Sequence, residues 1–134
     1  MIYLLDTNIA IHAGEQDVNV LARMIEHEGA IFMSALCLAE LQRGLHKTPG
    51  LTVLRRVRLD MLLAHAPILP FDAAAAEAYG AIIAQCGWAK GRDFDRMIAA
   101  HAIAVGATLV TANIADFRDI PGLALENWSE TVTP

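Results

Sequence analysis

The sequence predicts an α/β fold in which a mainly parallel sheet is covered by helices on both faces. Residues 2–5 and 30–33 form short, wholly apolar runs, which are typical of strands buried on both sides. Between such runs lie segments whose apolar residues recur every three or four positions, the spacing of an amphipathic helix. This alternation of strand and helix favours parallel strands joined by right-handed helical crossovers.

The N-terminal half is predicted to contain two strands and four helices. Asn8 can cap a short helix that begins at Ile9, and Ser34 can cap the helix that follows the second strand. Gly29 ends the helix before that strand, and Pro49-Gly50 ends the helix after it. The predicted elements are strand 2–5, a helix from residue 9, helix 18–28, strand 30–33, a helix from Ser34 towards Pro49, and a helix at about 52–64.

The C-terminal half is predicted to contain two further helices and two strands. Residues 66–70 are interpreted as a brief extended link, after which Asp72 caps a helix that runs to Gly87. Gly106 ends the second helix. The predicted elements are helix 73–87, loop 87–93, helix 94–105, strand 107–111, a turn at 121–122 and an edge strand at 123–126.

Composition indicates one soluble domain spanning residues 1–134. The chain has 134 residues, 55% of them apolar, which suffices for a single buried core. Ten basic and 15 acidic residues give a net charge of −5, so the surface as a whole does not attract nucleic acid. Two widely separated cysteines suggest reduced thiols, and neither a signal peptide nor a membrane-length apolar run is found. We therefore expect a cytoplasmic protein without membrane contact.

Four acidic residues occupy places where a parallel sheet gathers functional groups. Asp6 directly follows the first strand, and Glu40 lies one and a half turns into the helix after the second. Asp116 follows the strand 107–111 by five residues, and Asp95 opens the helix before that strand. Because the carboxyl ends of parallel strands and the turns after them line one crevice, we expect these four carboxylates to meet.

A cluster of carboxylates needs a positive charge among them. Two carboxylates about 4 Å apart repel by roughly 4 kcal/mol at an effective dielectric of 20. No lysine or histidine lies in the same strand-end turns. Oxygen-only ligands suit Mg²⁺ or Mn²⁺, which bind substrate phosphates and activate a bound water. The sequence therefore predicts a divalent metal site for phosphodiester chemistry, with one ion or two.

Several ordered runs together resemble a known family. Leu4–Asn8, Ser34–Gly44, Asp95–Ala100 and Gly106–Phe117 resemble, in this order, the PIN domain of VapC-type toxins, and Ile120–Trp128 resembles its C-terminus. The resemblance implies a PIN-like three-layer α/β/α sandwich and an Mg²⁺- or Mn²⁺-dependent endoribonuclease. It also implies the toxin of a type II toxin–antitoxin pair, a homodimer, and a cognate antitoxin that blocks the site. DNA would then be contacted only through the antitoxin.

The resemblance assigns catalytic and metal-binding roles to the same acids. Asp6, Glu40 and Asp95 match the metal-binding acids of the family, and Asp116 matches a less regular fourth acid. The spacing to Ile98-Ala99-Ala100 selects Asp95 over Asp93, which is left as an N-cap or a lesser participant. Helix capping alone is an alternative explanation for the first acid, and the helix macrodipole for the third.

Polar neighbours and basic residues complete the predicted site. Asn113 matches a polar neighbour of the acids, while Thr7 and Thr111 are expected to orient the first and last carboxylates through their hydroxyl groups. Candidate contacts to the RNA backbone are Arg43, Lys90, Arg92 and Arg96. A solvated charged face or a dimer rim remains the alternative for these basic groups.

Two other function classes fit the sequence less well than a nuclease. A catalytically silent PIN fold would act as a regulatory RNA-binding or protein-binding module, but it would not need intact acids. A phosphatase or receiver domain would place paired acids after the first strand, whereas Asp6-Thr7-Asn8 supplies one. Trp88 and Trp128 lack the interleaving of a base-stacking platform and are assigned to packing or an interface.

Overall fold

A computed structural model describes residues 1–130 and contains a five-stranded parallel sheet within them. The strands are β1 (Ile2–Leu5), β2 (Ile31–Ser34), β3 (Ile68–Leu69), β4 (Ala107–Val110) and β5 (Leu125–Glu126). Their order in the sheet is β3-β2-β1-β4-β5, and every neighbouring pair is parallel. The predicted α/β class is confirmed, with β1 at the centre of the sheet.

Six α-helices connect and cover the strands within residues 1–130. They are α1 (Thr7–Gly14), α2 (Val18–Glu26), α3 (Ala35–Leu45), α4 (Thr52–His65), α5 (Ala73–Cys86) and α6 (Asp93–Val105). Two short 3₁₀ helices are present at Pro49–Leu51 and Ile114–Phe117. None of the helices in this part of the chain has the length and apolar character needed to cross a bilayer.

Alternation along β1 builds a core on each face of the sheet. Leu5 packs on one face with residues of α1, α2 and α4, together with Trp128. Leu4 packs on the opposite face, against Ile82 of α5 and Ile98 of α6. Both leucines are 0% exposed, and each contributes about 1.5–3 kcal/mol of burial energy. The centre of the sheet is therefore held rigidly from both sides.

The register of the central strands brings their carboxyl ends to one edge. Leu5 is paired with Met33 of β2 and with Val110 of β4. The next residues along the three strands are Asp6, Ser34 and Thr111, so these side chains emerge side by side. The backbone N–H of Asp6 donates to the Val110 carbonyl at 2.8 Å, which extends the pairing to the first acid.

Two predicted helix starts are wrong by one or two residues. Asp6, rather than Asn8, is the N-cap of α1, and its carboxylate accepts the backbone N–H of Thr7. The Asn8 side chain instead accepts a hydrogen bond from the backbone N–H of Ala112, so it links α1 to the residues that follow β4. Helix α6 starts at Asp93, which is its first residue and not its N-cap.

The link predicted at residues 66–70 contains an edge strand. Ile68 and Leu69 pair with Met33 and Ser34 of β2 and extend the sheet by two residues. Prolines on both sides of this pair lack backbone N–H groups and keep the strand short. Local pattern could not identify the strand, because its partner lies about 35 positions earlier in the chain.

Candidate functional site

The structure places all four predicted acids around one cavity. Asp6, Glu40, Asp95 and Asp116 line a hollow of about 260 Å³ at the carboxyl edge of the sheet. The rest of its lining consists of Thr7, Asn8, Ile11, Phe94, Asn113 and Phe117. Four segments that are remote in sequence therefore contribute to one site.

Each acid reaches the cavity because of the element that carries it. Asp6 ends the central strand and begins α1. Ser34 caps α3 by accepting the backbone N–H of Leu36, and this fixes the start of the helix that carries Glu40. Asp95 lies in the first turn of α6, and Asp116 lies in the 3₁₀ helix after β4. The sheet edge, two helix starts and one turn thus set the geometry.

Asp6 is the most firmly held of the acids. Its side chain is 6% exposed. One carboxylate oxygen accepts the backbone N–H of Thr7 at 2.8 Å, and the other accepts the hydroxyl of Thr111 at 3.0 Å. Burial raises the pKa of Asp6, these two hydrogen bonds oppose the rise, and the negative charges of Glu40 and Asp116 add to it.

Glu40 is held by the hydroxyl group of Thr7, which we expected to hold Asp6. The Thr7 hydroxyl donates to Glu40 Oε1 at 2.6 Å, while its backbone N–H binds Asp6. We expected Thr7 to orient the first carboxylate and Thr111 the last. Instead the Thr7 hydroxyl orients Glu40 and the Thr111 hydroxyl orients Asp6, because α1 begins directly after β1 and faces α3.

Asp95 shows how much negative charge the cavity concentrates. Burial, followed by the negative charges of Asp6, Asp116 and Glu40, raises the pKa of Asp95 to about 6. Arg92 acts in the opposite direction and lowers this pKa. A carboxyl group in such surroundings is ionised at neutral pH only against mutual repulsion, which a bound cation would relieve.

The residues fit a divalent cation in their chemistry. The side chains that line the cavity offer carboxylate, hydroxyl and amide oxygens, which are the donors that Mg²⁺ and Mn²⁺ prefer. Among residues 1–130, no three His, Cys, Asp or Glu side chains form a ready-made metal cluster. The fit therefore rests on donor type and accumulated negative charge rather than on preformed coordination.

Two asparagines belong to the site, of which only Asn113 was predicted as a site residue. Asn113 lines the cavity as expected, and its backbone N–H donates to the Thr111 hydroxyl at 3.1 Å. Asn8 was predicted only as a helix cap. Its amide donates to Asp6 and its carbonyl oxygen accepts the N–H of Ala112, so it ties β1 to β4. The available signal was its place two residues after the strand-end acid.

The predicted basic residues divide into exposed and buried groups. Arg43 is largely exposed, and its guanidinium lies 3.6 Å from Glu40. Lys90 and Arg92 are exposed in the loop before α6. The RNA-contact prediction is wrong for Arg96, which is 4% exposed and paired with Asp119 at 3.1 Å. Its side chain packs inward because it lies on the face of α6 that meets α5 and the C-terminal turn.

Asp93 does not take part in the cavity. Its carboxylate accepts a hydrogen bond from the Tyr79 hydroxyl, which lies on α5, and it is not among the residues that line the hollow. This bond raises the pKa of the Tyr79 phenol. Asp95 is therefore the acid of this pair that faces the other carboxylates, because the two side chains lie on different sides of the helix start.

A larger groove of about 470 Å³ adjoins the acidic cavity. The two hollows share Thr7, Ile11 and Glu40 in their linings. The floor of the groove is mainly leucine from α3 and α4. The basic side chains in its lining are Arg43, Lys47, Arg55 and Arg58.

Comparison with known families gives one match over most of the chain. The PIN domain family matches residues 3–123. A protein described as Ribonuclease VapC2 from Rickettsia felis is 38% identical over 136 residues, which are 97% of this chain and 100% of the relative. A tRNA(fMet)-specific endonuclease VapC from Shigella flexneri is 33% identical over 95% of this chain and 98% of the relative.

Two solved structures similar to this chain are toxin–antitoxin complexes. VapBC2 from Rickettsia felis, bound to a DNA fragment from its promoter, contains a chain with a TM-score of 0.84 and 37% identity. That similarity covers 96% of this chain and 99% of the other. DNA-bound VapBC from Salmonella typhimurium gives a TM-score of 0.85 and 28% identity, with coverages of 96% and 98%.

Proposed function

Since this chain belongs to the PIN domain family, we propose that it is a metal-dependent endoribonuclease and the toxin of a type II toxin–antitoxin pair. The single observation that carries the proposal is the convergence of four carboxylates from four remote segments on one cavity. Relatives that match nearly the whole chain are named ribonucleases or endonucleases, which supports the same reaction class. The intact acids disfavour a catalytically silent PIN fold.

The acids would hold Mg²⁺ or Mn²⁺ and present the scissile phosphate to it. Asp6, Glu40, Asp95 and Asp116 are the proposed metal-binding and catalytic residues. When bound, the ion supplies Lewis-acid chemistry: it lowers the pKa of a water that attacks phosphorus and neutralises charge on the phosphate. The protein supplies the fixed oxygen ligands for this ion. Because its own net charge of −5 cannot attract RNA, the ion would also attract the phosphate.

Neighbouring side chains would keep these oxygens in place. Thr7 and Thr111 hold Glu40 and Asp6 through their hydroxyl groups, so neither carboxylate turns freely before a substrate arrives. Asn113 braces Thr111 from the following turn. Ile11, Phe94 and Phe117 contribute apolar walls to the same cavity.

A cleavage assay with paired variants tests the proposal. Purified protein is incubated with total cellular RNA and Mn²⁺, beside Asp6→Asn and the matched control Asp60→Asn, whose carboxylate is exposed on α4. We expect cleavage by the wild type and by Asp60→Asn, loss with Asp6→Asn, and loss on adding EDTA. Equal cleavage by the wild type and by Asp6→Asn, across a range of RNAs, would overturn the nuclease proposal.

The proposed partners are RNA as substrate, a second copy of the chain, and a cognate antitoxin that contacts DNA. The antitoxin proposal is supported by the VapBC complexes, two of which are bound to DNA. We propose a cytoplasmic location, where RNA is available. Co-expression with the product of a short reading frame directly upstream should yield a complex that no longer cleaves RNA. A complex that cleaves as fast as the free chain would contradict inhibition.

A further inference from the structure

Trp88 is the largest side chain that the fold leaves in solvent. It is 65% exposed, whereas Trp128 is 1% exposed and packs in the core. Of the two predicted roles, packing or an interface, packing in the core therefore applies to Trp128 alone. Within residues 1–130, Trp88 makes no hydrogen bond or ring contact. An indole left in water forgoes the free energy of burying its apolar surface. A large exposed aromatic side chain therefore indicates a surface that a partner covers.

Two cations share the loop with this indole. Lys90 and Arg92 are exposed, and neither forms an ion pair with another side chain in the described part of the chain. Arg92 is the N-cap of α6, three residues before Asp95, so the loop joins the helix start that lines the cavity. An aromatic face beside unpaired cations is a combination that suits a nucleobase and its phosphates.

The loop is anchored to the helix that carries Asp95. The backbone N–H of Arg92 donates to the Ala89 carbonyl at 3.1 Å, and the N–H of Arg96 donates to the Arg92 carbonyl at 3.0 Å. Gly87 and Gly91 adopt positive φ angles of 77° and 82°, so the backbone turns just before Trp88 and again three residues after it. These hydrogen bonds hold the backbone of residues 89–92 at the start of α6, three residues before Asp95.

We propose that Trp88, with Lys90 and Arg92, forms a stacking site for an unpaired base of the RNA substrate, beside the acidic cavity. The site rests on the proposed nuclease function and deepens it, since it selects single-stranded RNA. The base stacks on the indole, and the two cations bind the flanking phosphates. A paired base offers no free face, so duplex RNA is excluded from the platform.

The same patch is unsuited to pairing with its own copy. If a two-fold axis passed through this patch, Lys90 and Arg92 of one protomer would face those of its partner. Like charges brought together in this way repel. The phosphates of an RNA strand are instead attracted by both cations. Charge complementarity therefore favours RNA over a second protomer as the occupant of this patch.

The first test measures binding without cleavage. Affinities for a labelled single-stranded RNA oligonucleotide and for its duplex are measured by fluorescence anisotropy in EDTA. The variants are Trp88→Ala, Trp88→Phe and the control Ile25→Ala, whose side chain is 76% exposed on α2. We expect Trp88→Ala to weaken single-strand binding about 5- to 100-fold, with Trp88→Phe retaining most of it and Ile25→Ala unchanged. Unchanged affinity in Trp88→Ala would overturn the proposal.

The second test separates stacking from charge and from dimerisation. RNA should quench the emission of Trp88 while the buried Trp128 remains unaffected, so the quench should vanish in Trp88→Phe. The double variant Lys90→Gln/Arg92→Gln should reduce the slope of log Kd against log salt by about 1.4, for two phosphate contacts. A change of oligomeric state in Trp88→Ala, with RNA affinity retained, would assign the patch to a protomer interface and overturn the proposal.

The binding tests also distinguish this proposal from the nuclease proposal. They require no catalysis, so they can be carried out in the Asp6→Asn background. If Trp88→Ala weakens RNA binding although the wild type cleaves nothing, the nuclease proposal fails and the stacking site stands. If Asp6→Asn abolishes cleavage but Trp88→Ala binds and cleaves as the wild type does, the stacking site alone fails.

Discussion

Replacing Asp95 by asparagine should stabilise the metal-free protein at neutral pH. The wild-type carboxyl is half-buried, and burial followed by the charges of Asp6, Asp116 and Glu40 raises its pKa from 3.8 to about 6. A group that binds a proton more tightly when folded favours the folded state only while it is protonated. Above its folded pKa, the ionised carboxylate therefore opposes folding, and asparagine removes that charge with little change of shape.

The expected size follows from the pKa. A rise from 3.8 to about 6 corresponds to roughly 3 kcal/mol between the two protonation states at full strength. Because the Asp95 side chain is only half-buried, solvent screening reduces this value to about 1–2 kcal/mol. The destabilisation should be absent below pH 3.8, grow between pH 3.8 and pH 6, and stay constant above about pH 7.

Urea unfolding in EDTA at several pH values measures the effect. The unfolding free energy of Asp95→Asn should exceed that of the wild type at pH 7.5 and equal it near pH 4, while Asp60→Asn should follow the wild type throughout. Adding Mg²⁺ should then stabilise the wild type more than Asp95→Asn, because ligand binding to the folded state adds RT ln(1 + [L]/Kd). An Asp95→Asn protein less stable than the wild type in EDTA at pH 7.5 would refute the reasoning.

Three further variants or reagents probe single contacts. Thr7→Val should lower kcat/KM for RNA about 10- to 100-fold, because it removes the hydroxyl that holds the carboxylate on α3, whereas Thr7→Ser should keep most activity. Asp119→Ala should lower the unfolding free energy by about 3 kcal/mol in urea titrations, because it leaves the buried Arg96 guanidinium unpaired. Arg96→Met should lower the unfolding free energy less, since it removes the buried charge itself. Equal losses in the two variants would argue against a charge effect. A thiol reagent should modify only Cys86 in the native protein and both cysteines after unfolding, because burial raises the pKa of Cys37 to about 12.

Local patterns were sufficient to predict most of the elements. The apolar run at residues 2–5 and the period of about 3.6 in the helices arise from short-range geometry, and β1 and the helices were found within a few residues of their observed bounds. Capping residues also act over one turn, so Ser34 and Asp72 were identified correctly. The convergence of the acids followed from strand ends of a parallel sheet.

Errors arose where a side chain had a choice of distant partners. Arg96 was predicted on the surface, but it pairs with Asp119, 23 positions later, and is buried. Asn8 was predicted as a cap, yet its side chain serves Ala112 on the neighbouring strand end. Trp88 was assigned to packing or an interface, and its 65% exposure excludes only the first of these. Sequence spacing contains no information about which of these partners comes within reach.

The sequence by itself determined the fold class, the order of the α-helices and of four of the five strands, and the four acids, because periodicity, capping and strand-end position are local properties of a chain. The tertiary structure alone decided which donor holds which acid: Thr7 binds Glu40 across 33 positions, and Thr111 binds Asp6 across 105. Such hydrogen bonds depend on the path of the backbone in space. Their short range, about 3 Å, makes them sensitive to shifts that no sequence pattern resolves.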